Sequence, residues 1–169
     1  YSSFSLSNVK STFQKENDSE DEEKLLDEKS DSVKIKSAAS GNVATASTKE
    51  YIVGCVAAEM PATYSTEALK AQAVCAYTNL VRLKKNPDSS LSGADISDDP
   101  GRHQGYYDTE TQKEKWGDKY DEYRAKTEEA VNDVLGKTIV FNGEPIVAAY
   151  CAISPGRTES SENLSLIHI

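Results

Sequence analysis

Glu59 stands where a carboxylate is least expected. Ile52, Val56 and Glu59 recur at i, i+4 and i+7, so a helix would place all three on one face. Pro61 disfavours helical geometry at Met60, which ends that helix near Glu59. The negative end of the helix dipole and the apolar neighbours Val56 and Met60 then both disfavour a charged carboxylate. That is the direction a general acid requires near neutral pH. A solvated glutamate at a helix end fits the same spacing, so spacing alone leaves both readings open. Other reactive side chains are sparse. Cys55, Cys75 and Cys151 form no C-x-x-C pair, and His103 and His168 are the two histidines that could supplement them. A zinc site lacks support, and small buried thiols are the expectation. No metal and no cofactor are expected.

The rest of the chain must position that glutamate. At 169 residues it can bury the core of one domain. A net charge of −9 argues against nucleic acid, whose phosphates would be repelled. No apolar run reaches membrane-spanning length. The sequence opens at Tyr1 without an initiator Met, so a targeting segment is expected outside it. Residues 1–32 are rich in Ser, Asp, Glu and Lys, with an acidic block at Ser19 to Glu23. They read as a disordered acidic linker, too polar to offset the entropy of ordering.

From Ser32 the pattern changes. Val33, Ile35 and Val43 suggest short strands around the turn residues Ser40, Gly41 and Asn42. Ser47 and Glu50 have capping-box spacing and start the helix that ends near Glu59. A second helix is predicted from about Ser65 to Lys84, striped by Leu69, Ala73, Ala76, Leu80 and Leu83. Residues 87–117 read as a long loop, a kind often functional. A third helix is predicted from about Asp118 to Val134, with Gly136 as its C′ residue. Strands over Thr138 to Phe141 and Pro145 to Ala152 would flank an Asn142-Gly143 turn. The class is α+β, with three main helices packed against a small antiparallel sheet. Leu164 to Ile169 looks like a translated sequencing adapter. The expectation is a reading frame cut near Asn163, a non-native tail over 164–169, and a fold incomplete at its C-terminus.

Specific motifs add to this reading. The run Glu50 to Pro61 (EYIVGCVAAEMP) and the run Glu67 to Val74 (EALKAQAV) resemble the signature of the stage II sporulation protein D family. Weaker matches follow at Asp98-Asp99-Pro100, His103-Gln104-Gly105-Tyr106, Gly136-Lys137-Thr138 and Gly156 to Asn163. The resemblance covers about residues 33–163, in order. It implies a lytic transglycosylase domain that cleaves peptidoglycan glycan strands, notably during engulfment in sporulation. It implies a preference for strands stripped of stem peptides, and an amidase partner. A secreted, extracytoplasmic protein follows, held at the cell wall or anchored to the membrane through a segment not in this sequence. A monomer is the default expectation.

The resemblance also assigns residues. Glu59 matches the family's catalytic acid, and Lys70 the lysine of A-L-K-A-Q-A. Tyr77 replaces an arginine usual in the family and could stack on a sugar ring. Gln104, Tyr106 and Tyr150 are implied to lie near the cleft, and Ser154, Gly156 and Thr158 belong to a small-residue segment that could approach a sugar. Pro155 in that segment supplies no N–H. Some relatives bind zinc near His103 with added Cys and His, which this sequence lacks. Two readings stay open beside the enzyme: a wall-binding module that activates an amidase, and a purely structural interaction domain.

Overall fold

The computed structural model describes residues 32–150. The acidic segment before it, and Ser154, Gly156, Thr158 and the expected tail after it, lie outside the described residues. The first two strands are β1 (Ser32–Lys36) and β2 (Val43–Ser47), an antiparallel hairpin with Val33 opposite Ala46 and Ile35 opposite Ala44. Val33 and Ile35 alternate into the core, as the period of two requires.

Helix α1 (Thr48–Glu59) follows at once. The Ser47 hydroxyl accepts the Glu50 N–H at 3.1 Å, which is one half of the expected capping box. The Glu50 carboxylate instead takes the Arg124 guanidinium at 2.5 Å. At the other end Met60 is extended, with φ −139° and ψ 134°, as a residue before proline must be. The helix therefore stops on Glu59, and its buried residues include Tyr51, Ile52, Val53, Cys55 and Val56.

Helix α2 (Thr66–Lys85), capped by Ser65, buries Leu69, Ala73, Ala76 and Leu80 as its stripe predicts. It packs on α1 with alanines at the contact, which lets two helices approach closely. The expected loop over 87–117 is more structured than its sequence suggests. It holds a 3₁₀ turn (Ser89–Leu91), strand β3 (Ile96–Ser97) and helix α3 (Thr109–Trp116). Strand β3 pairs with β1 in parallel, so this sheet is mixed, in the order β2-β1-β3. Helix α3 escapes periodicity because Gln112 is its one buried residue. Its Asp108 cap, accepting from Thr111 at 2.8 Å, is the signal that sequence reading missed. The third long helix, α4, is regular over Tyr120–Asn132 and follows a 3₁₀ turn at Gly117–Lys119. Gly136 has φ +87°, the left-handed geometry expected past a helix end. The α+β class stands, with one short helix and one parallel pairing added.

The C-terminal hairpin is shorter than predicted. Asn142 and Gly143 both have positive φ, at 51° and 78°, and join β4 (Val140–Phe141) to β5 (Glu144–Pro145). Among the described residues, the expected strand does not continue beyond Pro145, over 146–150. Pro145 has no N–H, and the Ala149 N–H bonds the Val147 carbonyl at 3.0 Å, folding the chain into a tight turn. Helix α2 satisfies this backbone instead. The Asn79 amide donates to the Ala148 carbonyl at 3.1 Å and accepts the Ala148 N–H at 3.0 Å. One turn position earlier, Thr78 Oγ1 accepts the Ile139 N–H at 3.0 Å. Asn79→Ala leaves both Ala148 groups without their partner, at an expected cost of about 2 kcal/mol. Chemical denaturation of the two proteins measures it; an unchanged midpoint would show that the clamp carries no stability.

No helix of the described residues is long and apolar enough to cross a membrane.

Candidate active site

Four consecutive residues, 104–107, fasten the site together. The Gln104 amide donates to the Tyr51 hydroxyl at 2.7 Å and to the Ala76 carbonyl at 3.2 Å, tying the strip to both α1 and α2. The Gly105 N–H donates to Glu59 Oε1 at 2.9 Å. The Tyr106 ring stacks on Tyr51, with centroids 5.6 Å apart. The Tyr107 N–H bonds the Gly54 carbonyl at 3.1 Å, and its own carbonyl accepts from Gln112 at 2.8 Å. Gln112 is in turn held by Arg124 at 2.9 Å, which also reaches Glu50. Helices α1, α3 and α4 thus share one polar hub, and its product is the placement of residues 104–107 against α1.

Two glycines make the close approach possible. A Cβ on Gly54 would lie 2.4 Å from the Tyr106 ring and 2.6 Å from the Tyr107 carbonyl. A Cβ on Gly105 would lie 3.0 Å from Glu59 Oε1. The spacing of the two glycines in the sequence carries no hint of this, because Gly54 lies on α1 and Gly105 on the distant strip that packs against it.

Glu59 is half-buried and borders a groove of about 410 Å³. Asn79, Arg82, Arg102, His103, Gln104 and Tyr150 also line it. That volume lies in the range of small-molecule sites. Among the described residues of this lining, Glu59 is the one carboxylate. The Gly105 N–H fixes the orientation of that carboxylate at the groove edge. Tyr150 lines the same groove, and burial followed by the Glu59 charge pushes its phenol well up, so it stays neutral. His103 Nδ1 accepts the Ser97 N–H at 3.0 Å. Burial first, and then the Arg102 guanidinium, hold this imidazole below its usual range. It is a loop-packing residue and neutral near pH 7.

The other expected site residues divide. Tyr150 faces the groove beside Glu59, and Gln104 borders it while serving chiefly as a strut. Tyr106 packs against the core and does not line the groove. Tyr77 is 4% exposed, within the core cluster, so it cannot stack on a sugar. Its position on α2 faces inward with Ala73 and Ala76, where an aromatic ring is drawn in by burial. Lys70 is bound to Glu67 at 3.0 Å and Asp133 at 2.9 Å, outside the groove lining. Those carboxylates hold its ammonium pKa well above the usual lysine value. Cys55 is buried and Cys75 half-buried, and burial pushes both thiols up. Sequence reading missed Asn79 and Arg82. Both look like ordinary polar residues near a helix end, and Arg82 fits the basic last turn that any helix favours.

Residues 36–141 match the stage II sporulation protein family. The chain belongs to that family. Stage II sporulation protein D of Bacillus subtilis (strain 168) is 39% identical over 115 residues, covering 68% of this chain and 34% of the relative. The protein of the same name from Bacillus amyloliquefaciens is 37% identical over 115 residues, covering 68% and 33%. The chain spans about a third of the length of these curated relatives. The family is one of sporulation, and its matched stretch contains Glu59, Arg82, Gln104 and Gly105, with Tyr150 just beyond it.

Proposed function

We propose that this domain is a lytic transglycosylase acting on peptidoglycan glycan strands, with Glu59 as its acid and base. One observation carries the reading: among the described residues, a single carboxylate faces the groove, and a backbone donor holds it there. Hydrolysis by most glycosidases needs two carboxyl groups flanking the bond. An intramolecular transfer needs one. Protonated Glu59 gives its proton to the glycosidic oxygen leaving C1 of N-acetylmuramic acid. The resulting carboxylate then takes the proton of that sugar's C6 hydroxyl, whose oxygen closes onto C1. The products are a 1,6-anhydro end and a free N-acetylglucosamine hydroxyl, and no water is consumed. The Gly105 N–H fits the second half of this cycle, when Glu59 carries charge.

The setting is the extracytoplasmic cell wall, with an amidase as the partner that supplies peptide-free strands. The test is digestion of such strands by the full-length protein and its Glu59→Gln variant, with mass spectrometry of the ends. Anhydro ends from wild type alone support the enzyme. Equal stimulation of an amidase by both proteins, without anhydro ends from either, supports a wall-binding activator instead.

A further inference from the structure

Two arginines line the groove, and they differ in one respect. Arg102 is neutralised by Asp88 at 2.5 Å. Arg82 forms no ion pair among the described residues, and its Nε is buried without a hydrogen-bond partner. The neighbouring His103 is held neutral, so it neither adds to nor offsets that charge. Glu59 lines the same groove, yet the two do not pair. A buried donor on a charged fork is costly unless something accepts from it. The wider protein, at −9, repels anions. An uncompensated guanidinium in the groove of such a protein is therefore a local and selective attraction. Guanidinium forks match carboxylates in two-bond geometry.

We propose that Arg82 is a specificity-determining residue that binds a carboxylate carried by the glycan strand. This rests on the glycan reading above. The strand has one suitable group, the lactyl carboxylate of N-acetylmuramic acid, which is free where no peptide is attached and an amide where one is. Arg82 would bind the first and be left unpaired by the second. Its place on α2, one turn beyond the Asn79 clamp, fixes it relative to the segment that carries Tyr150.

The experiment uses the full-length protein and two sets of peptide-free strands: one untreated, one with carboxyls converted to methylamides. Cleavage and binding are both read, binding with Glu59→Gln so that strands survive. Wild type should favour untreated strands by about tenfold or more in kcat/KM, the scale of one charge-assisted contact. In Arg82→Gln that ratio should fall to near one, and Arg82→Lys should recover part of it. Wild-type preference should also shrink with added salt, a readout that needs no variant to fold. A ratio unchanged in Arg82→Gln, or a wild type indifferent to amidation, overturns the proposal. If no protein yields anhydro ends but binding still shows an Arg82-dependent preference, the catalytic reading fails and the assignment of Arg82 stands.

Discussion

Glu59→Gln is expected to lower the rate of anhydro-end formation by about 10³-fold, within the range general acid–base groups contribute. The substitution is chosen for what it keeps. A glutamine carbonyl oxygen can still accept the Gly105 N–H that now sits 2.9 Å from Glu59 Oε1. The side chain is nearly the same size, so the groove keeps its shape. What disappears is a group that can release a proton and then recover one. Melting temperature should stay within a few degrees, which separates lost chemistry from lost fold. Counting anhydro ends by mass spectrometry at matched enzyme concentration gives the ratio. A variant that cleaves as fast as wild type would remove Glu59 from the mechanism.

The second large effect is structural. Gly54→Ala places a methyl group 2.4 Å from the Tyr106 ring and 2.6 Å from the Tyr107 carbonyl. In an isolated helix the same change would help, by about 1 kcal/mol. Here the clash decides the sign. One of the atoms met is backbone, and the ring is stacked on Tyr51, so neither can step aside without breaking another contact. The expected net loss is about 3 kcal/mol, the upper end of overpacking costs. For a domain of this size that corresponds to roughly 10 °C in melting temperature. The Gly105 N–H should shift with the strip, so glycan cleavage should fall as well. A Gly54→Ala protein with wild-type melting would mean that residues 104–107 are not tightly seated on α1.

Much of this architecture can be read from local signals. Ser47 and Pro61 bracket α1, and Asn142-Gly143 makes its turn, because caps and turns depend on a few adjacent residues. Glu59 could be singled out for the same reason: a carboxylate on an apolar stripe at a helix end is a local anomaly. What could not be read depends on residues far apart in sequence. Nothing near Gly105 announces that its N–H will meet Glu59, 46 residues away. Tyr77 and Lys70 were drawn to the cleft by resemblance, but burial took one and two carboxylates the other. Strand β3 and helix α3 lack periodicity over their short lengths, so the span between Pro87 and Gly117 read as loop.

The clamp between α2 and the segment after β5 has a wider implication. Thr78 and Asn79 hold one wall of the groove, while Arg82 and Leu83 line it from the same two helical turns. Leu80 between them belongs to the core, so structural and groove-facing side chains alternate along these two turns. Exchanging Arg82 and Leu83 alone would re-line the groove for a different polymer, yet leave the clamp, Glu59 and its Gly105 donor on their own supports.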